Sequence, residues 1–440
     1  MCIMMTNKKI SVALDTVLRL PDEIVIHRSG EDLVAVSPKD GNWLVMTEGQ
    51  LQILEQLKCG CSIGDVLSKA TDEKIAESLL KQIFARNFTE KPLSVKPIEK
   101  ALLYLTYDCN LQCEHCYMHA QRSRGKMLST DEYKTIFKEL RENGVNEATF
   151  SGGEPLVRTD LWKIIEHARG SGLIPRVFSN GTLWTDSDVE KAKVFAVKVQ
   201  ISIDGVDEKS CATVRGAGVF SKAKHAALRL AEAGVDVEIA MTPMLANIEA
   251  IERGYSDFVK GIRERVGQKI KFKVSLDLMP GRNVPKMTLE EKQEYTRKGS
   301  RLYSISNPDG TKIPFFDEYR KGLGRMACGL GRLVFSPDGF VYVCSQLDFL
   351  PPIGNVREIG VSCLLEEARK YVAAVSVDNT IPCRECSLRY ICGGGCRAER
   401  YEYVSNSIEN PSIHKPCSEN QKAELVKMMV HATKECYKWD

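Results

Sequence analysis

The sequence predicts an α/β chain whose centre is a parallel sheet curled into a partial (β/α)6 barrel, preceded by a small winged-helix-like module and followed by a cysteine-rich domain. Three observations lead there. Between residues 102 and 278, apolar β-branched runs alternate six times with helical periods. Before residue 91, three short strands precede three short helices. Between residues 328 and 417 eight cysteines are grouped at short spacings. The boundaries read as 1–91, 98–285, a bridging region 286–324, and 325–440.

Bulk composition narrows the class. At 440 residues the chain exceeds one ordinary compact core, and 43% hydrophobic with 27% charged residues is the balance of a soluble globular protein. A formal net charge of +3 implies neither nucleic acid nor membrane phosphate as a partner. No run approaches the roughly 18 apolar residues of a membrane span. Residues 1–9 turn polar too soon for a secretory signal, so the expected location is cytoplasmic. In that compartment sixteen cysteines read as ligands rather than disulfides.

In chain order, apolar runs at 23–27, 33–36 and 42–46 are separated by the turn sequences Ser29-Gly30-Glu31-Asp32 and Lys39-Asp40-Gly41, giving three strands. Leu51, Leu54 and Leu57, then Ile63, Val66 and Leu67, then Ile75, Leu79, Leu80, Ile83 and Phe84 recur at helical spacing. Two prolines between 90 and 97 mark a linker. The barrel strands are expected to end near Tyr107, Ser151, Ser179, Ile203, Thr242 and Leu278. A helix between the first two starts at a capping box of Ser129 and Glu132, buries Tyr133, Ile136, Phe137 and Leu140, and stops at Gly144. Residues 288–305 form a bridging helix.

The first chemical motif is Cys109-x3-Cys113-x2-Cys116, in a polar loop after the first barrel strand. Three thiolates are one short of the four that a cubane iron–sulfur cluster takes, which leaves one iron open. A three-cysteine zinc site or reduced core thiols are the competing readings. Ser151-Gly152-Gly153-Glu154-Pro155 ends the second strand, where two glycines allow close approach to a ligand and a carboxylate can accept from an ammonium. Ser179-Asn180-Gly181 and Ser202-Ile203-Asp204-Gly205 end the third and fourth strands.

In that order the motifs resemble those of the radical S-adenosylmethionine (SAM) enzymes. The resemblance implies a TIM-like partial barrel and SAM chelating the open iron of a [4Fe-4S] cluster held by Cys109, Cys113 and Cys116. It further implies a SAM ammonium met by Gly152, Gly153 and Glu154, and ribose and carboxylate contacts from Ser179, Asn180, Ser202 and Asp204. Arg215 is the candidate fork for the carboxylate, and Met279 lines the adenine side with His115, which stands where the family usually has an aromatic residue. Cleavage of SAM would release a 5′-deoxyadenosyl radical, with the protein positioning the target carbon.

The second field, Cys328-x15-Cys344, Cys383-x2-Cys386-x5-Cys392-x3-Cys396 and Cys417, with Gly339 before Cys344, is similar to the SPASM extension of peptide-modifying radical SAM enzymes. That likeness implies two auxiliary [4Fe-4S] clusters, three clusters in all. Cys328, Cys344 and Cys396 would serve the first auxiliary cluster and Cys383, Cys386, Cys392 and Cys417 the second. One iron is then short of a ligand, which a substrate cysteine could fill as a thiolate. Cys363 is the internal competitor, although Val361-Ser-Cys-Leu-Leu reads as a buried helix start. Cys2, Cys59, Cys61, Cys211 and Cys436 read as structural or incidental thiols.

The N-terminal module is similar to the recognition element of enzymes that mature ribosomally made peptides, where a leader adds as a strand to a sheet edge. Here the receiving edge would be the third strand, near 42–46, walled by the third helix around 79–84. Together the resemblances imply a maturase of the sactipeptide and ranthipeptide kind, forming thioethers between cysteine sulfur and carbon in a precursor peptide, with flavodoxin or ferredoxin as electron donor. The alternatives are a carbon–carbon crosslinking maturase, a sulfatase-activating enzyme, and a non-catalytic iron–sulfur peptide-binding protein.

Overall fold

The computed structural model describes residues 2–5, 8–70, 72–88, 98–118, 126–276, 278, 281–306, 332–346, 350–397, 401–403, 411–414 and 417–436. The chain forms two compact units: Met1–Lys96 with Gly310–Leu330 and Val372–Asp440, and Pro97–Asp309 with Gly331–Tyr371. The 325–440 segment is thus shared between the two.

The first unit opens with an antiparallel pair, β1 (Cys2–Met5) and β2 (Lys8–Ser11). A three-stranded antiparallel sheet follows, of β3 (Val25–Ser29), β4 (Asp32–Val36) and β5 (Trp43–Met46) in that order. The β3–β4 hairpin turns through Gly30, whose φ of +63° a side chain would resist. Helices α1 (Glu48–Lys58), α2 (Ile63–Lys69) and α3 (Glu73–Arg86) come next. Capping boxes at Thr47/Gln50 and Ser62/Asp65 start the first two, satisfying amides that a helix leaves unpaired. Leu33, Ala35, Leu44 and Met46 pack on the helices.

The opposite face of this sheet is also buried. Val34, Val36, Trp43 and Val45 form a second core with Leu388, Ile391, Val426, Met429, Val430 and Ala432 from the same unit. The strands therefore read as unbroken apolar runs, Leu-Val-Ala-Val and Trp-Leu-Val-Met, rather than as an apolar–polar alternation. Trp43 Nε1 donates to Thr433 Oγ1 at 3.1 Å, and Arg86 Nη2 donates to the same oxygen at 2.9 Å. The hydroxyl gives its own proton to Met429 O at 2.8 Å, so its hydrogen-bonding capacity is fully used. The Arg86 guanidinium also lies 4.4 Å over the Trp43 ring.

The second unit carries six parallel strands in sequential order: β6 (Lys100–Tyr104), β7 (Glu147–Ser151), β8 (Ile174–Ser179), β9 (Lys198–Ser202), β10 (Asp236–Met241) and β11 (Ile270–Val274). Between and after them run α4 (Thr130–Glu142), α5 (Leu161–Gly170), α6 (Asp186–Val194), α7 (Glu208–Arg215), α8 (Val219–Glu232), α9 (Ile248–Val266) and α10 (Leu289–Ser306). The Ser129/Glu132 capping box is present on α4, and its four predicted core residues are buried. The first strand ends three residues before the expected Tyr107, because Thr106 leaves the ladder to accept Gly153 N at 2.8 Å. The sixth ends at Val274 rather than at Leu278.

The sequence reading missed an extension of this sheet. β12 (Leu333–Phe335) pairs in parallel with β6, and β13 (Phe340–Tyr342) and β14 (Gly354–Asn355) continue antiparallel beyond it. Helix α11 (Val361–Ala374) follows. Cys363 lies at its start but is exposed, which corrects the buried position expected for it: Val361, Leu364 and Leu365 turn inward instead. Among the described residues no helix is long and apolar enough to cross a membrane.

Trp43→Ala should cost about 3–5 kcal/mol. The expected readout is a lower urea midpoint for the full chain, together with faster proteolytic cleavage within residues 419–436.

Candidate functional site

The loop after β6 approaches the β7 turn more closely than any side chain would allow. Gly153 N donates to Thr106 O, and Glu154 N to Asp108 O at 2.9 Å. A Cβ on Gly152 would overlap Thr106 O, and one on Gly153 would overlap Asp108 O. Gly152 also has a φ of +133°. The glycine pair thus admits the backbone of the loop that carries Cys109.

Glu154 is wholly buried. Its Oε1 accepts from Ser179 Oγ at 2.8 Å and Leu156 N at 3.2 Å, and its Oε2 from Asn180 N at 2.7 Å. Burial pushes the carboxyl up to about 7 despite these donors. The Asn180 side chain continues the network. Its Nδ2 donates to Asn110 Oδ1 at 2.9 Å and lies 3.9 Å from Cys109 Sγ, while its Oδ1 accepts from Thr182.

Asp204, just beyond β9, is also buried, and protein groups occupy both its oxygens. Arg215 Nε at 2.6 Å and His115 Nε2 at 2.8 Å meet Oδ2, and Thr242 N at 2.6 Å meets Oδ1. Asn247 Nδ2 donates to the Asp204 main-chain oxygen at 2.6 Å. Burial acts to raise the Asp204 carboxyl, but Arg215, His115 and the Thr242 amide overcome it and leave the group well below the usual carboxylate range. Asp204 thereby organises the groups around it. Among the described residues the buried His115 Nδ1 finds no hydrogen-bond partner. Ser202 is half-buried at the end of β9.

The structure brings Cys109, Cys113 and Cys116 together on one loop. Burial raises the thiols of Cys109 and Cys113, and the other two cysteines of the trio add to the effect at Cys109. Donors face the sulfurs: Leu111 N lies 3.4 Å from Cys109 Sγ, and Arg215 Nη1 3.9 Å from Cys113 Sγ. Among the described residues no three Cys, His, Asp or Glu side chains could together hold a single metal ion. A cubane differs in spreading its thiolate ligands over separate irons, and N–H donors directed at sulfur suit it.

Sequence reasoning missed the segment that closes this loop. Arg282 N donates to Cys116 O at 3.1 Å, Arg282 Nη1 to Cys113 O at 3.1 Å, and Asn283 N to Glu114 O at 2.7 Å. Its only signal was Gly281-Arg282-Asn283, a turn-like sequence beyond the sixth strand. Met279 lies outside the described residues. Thr242 and Asn247, after β10, were missed as well.

In the second cysteine field, Cys344 is half-buried after β13 and Gln346 N lies 3.4 Å from its sulfur. The Cys383 thiol is pushed up to about 11 by burial and by the thiols of Cys392, Cys417 and Cys386, so these four lie within electrostatic reach of one another. Arg397, fully buried, donates to Gly393 O and Gly395 O and so fixes the backbone between Cys392 and Cys396. Cys344 belongs to one compact unit and Cys396 to the other, while Cys328 falls outside the described residues.

At the expected peptide-receiving edge, Ser37 N bonds Asn42 O, so alternation turns the amides of Trp43 and Val45 away from β4. Side chains already hold both: Trp43 N donates to Asn42 Oδ1 at 3.0 Å and Val45 N to Gln82 Oε1 at 3.3 Å.

Gly153→Ala should force the Cys109 loop away from β7. The expected measurement is faster alkylation of Cys109 in the metal-free protein, with Cys211, buried on α7, unchanged.

Comparison with known proteins adds the following. The Radical SAM superfamily description matches residues 103–257. The sporulation killing factor maturation protein SkfB of Bacillus subtilis is 30% identical over 333 residues, covering 70% of this chain and 77% of SkfB. The mycofactocin maturase MftC of Mycolicibacterium smegmatis is 27% identical over 314 residues, covering 68% of this chain and 77% of MftC. The crystal structure of Streptococcus suis SuiB bound to S-adenosylmethionine superposes with a TM-score of 0.52 at 16% identity, over 87% of this chain and 96% of SuiB, a likeness of fold.

Proposed function

The chain belongs to the radical SAM superfamily, and from that premise we propose that it is a peptide maturase that installs thioether crosslinks, cysteine sulfur to carbon, in a ribosomally made precursor. The observation that carries the reading is the loop that gathers Cys109, Cys113 and Cys116 beside the buried carboxylate of Glu154 at the carboxyl ends of the parallel strands. Relatives named as maturation proteins over two thirds of the chain support the peptide substrate.

In this reading Cys109, Cys113 and Cys116 would hold a [4Fe-4S] cluster beside the SAM site. When bound and reduced, the pair would supply a 5′-deoxyadenosyl radical, the chemistry needed for hydrogen-atom abstraction from the peptide. Glu154, oriented by Ser179 and Asn180, receives the SAM ammonium, and Asp204 holds His115 and Arg215 in place beside the trio. Cys344 in one unit and the group Cys383, Cys386, Cys392 and Cys417 in the other would each serve an auxiliary cluster, with a peptide cysteine as an additional ligand. A leader strand docking on β5 would displace Gln82 and Asn42 from its outward amides.

Three outcomes test this. Replacing the trio with alanine should abolish SAM-dependent 5′-deoxyadenosine formation and remove the iron–sulfide absorbance that depends on these residues. Glu154→Gln should weaken SAM binding by about 10–100-fold, since a hydrogen bond to a charged group is worth about 1.5–3 kcal/mol. With the Glu154 carboxyl near 7 in the ligand-free protein, it gains a proton as pH falls and can no longer pair with an ammonium. Wild-type SAM affinity should therefore drop between pH 8 and 6, approaching about tenfold per unit on the acid side, and the drop should vanish in Glu154→Gln.

The crosslink itself is read by mass. A thioether loses two hydrogens and one free thiol per bond, so a product that keeps every thiol excludes it. A modification that survives replacement of all precursor cysteines points instead to a carbon–carbon crosslinking maturase.

A further inference from the structure

The two segments that cover the second face of the three-stranded sheet are the same two that carry the cysteine group around Cys383. Leu388 and Ile391 stand between Cys386 and Cys392, and Cys386 itself packs against the core they form with β4 and β5. The helix Glu419–Cys436, which supplies Val426, Met429, Val430 and Ala432 to that core, starts just after Cys417. In the first cover Cys386 N donates to Cys383 O at 2.9 Å and Cys392 N to Leu388 O at 2.8 Å, so cysteines and apolar residues share one short run of turns. The sheet is tied to both covers: His27 Nε2 lies 2.9 Å from Ser387 Oγ, next to Cys386, and Lys434 Nζ lies 2.7 Å from Asp32 Oδ2. Two aliphatic side chains at a helix of four residues are a weak hold for one face of a sheet.

We propose that a cluster bound by Cys383, Cys386, Cys392 and Cys417 staples the two covers together, so that loading this site orders the sheet whose β5 edge is the leader site. The inference rests on the reading of these four cysteines as cluster ligands and, for its consequence, of β5 as the receiving edge. Cys392 and Cys417 lie on different covers, and a shared cluster crosslinks them. A metal clip that closes a long loop removes conformational freedom from the open chain, and binding to ligands gathered only in the folded chain becomes folding energy. Trp43 and Val45 turn their side chains into the covered core and their amides toward the outward edge. A loosened cover therefore frees the strand that would meet the peptide, which makes occupancy of the cysteine site a switch on recognition.

The test is amide hydrogen exchange, read by mass spectrometry on the anaerobic full chain either loaded with iron and sulfide or metal-free, in peptides spanning residues 25–46. Loading should slow their exchange by about tenfold or more in wild type. A chain with alanine at Cys109, Cys113, Cys116 and Cys344, which leaves the Cys383 group intact, should keep that slowing. Cys383→Ala/Cys417→Ala should lose it, while peptides from β9 and β10 exchange as in wild type. Equal exchange in loaded and metal-free wild type overturns the proposal, as does full slowing in Cys383→Ala/Cys417→Ala once its iron content has fallen. If that double variant does not fold, the chain with the four other cysteines replaced decides: slowing on loading sustains the proposal, and its loss overturns it. A Cys383→Ala/Cys417→Ala chain that binds as much iron as wild type refutes the ligand reading beneath the proposal, whatever its exchange.

Discussion

The buried carboxylate of Asp204 is the constraint on which the candidate site depends. An ionised group with no access to water is tolerated only where charge and hydrogen bonds replace solvation. Here Arg215, His115 and the Thr242 amide do so. Those partners come from the end of α7, from the cysteine loop and from the turn after β10, so one carboxylate ties three separate chain segments together. Removing Arg215 would leave the Asp204 charge buried without its cation, which is strongly destabilising.

The cysteine loop shows the same economy in its backbone. On one side the β7 turn presses against it where no side chain intervenes, and on another residues 281–283 take up its carbonyls. Glu114 N is bonded to Val214 O. A loop whose polar backbone groups are met by several strand ends has few alternative conformations to lose when a ligand arrives, and such preorganisation favours binding. The thiols, raised by burial, keep their protons until a metal displaces them, so metal loading releases protons and depends on pH.

The other unit is built on a different principle. Its three-stranded sheet is dry on both faces, so the N-terminal strands and the C-terminal helical residues share a core and neither segment completes its burial alone. Thr433 satisfies both the Trp43 indole and Arg86 at the centre of that core. The cysteine group around Cys383 is in this unit, with Leu388 and Ile391 contributing to the second face of the sheet.

Much of this was legible from local pattern. The six parallel strands, the capped helix from Ser129 and the three strands and three helices between residues 23 and 91 follow from periodicity and turn residues, which act over a few residues, whereas the antiparallel pair of β1 and β2 ahead of them was not anticipated. What escaped has a common physical origin. Periodicity reports that a face is buried but not what buries it, so the second cover over Val34, Val36, Trp43 and Val45 could not be assigned to residues nearly four hundred positions away. Spacing identifies ligand-type residues but not which polar groups the fold itself consumes. Only tertiary packing turned Asp204 inward upon protein partners, set the Gly152–Gly153 backbone against the Cys109 loop, and delivered Arg282 to Cys113. The sequence by itself determined the elements and the chemistry they carry; the tertiary structure decided which groups meet, because contacts between distant segments are chosen by burial and hydrogen-bond satisfaction across the whole fold.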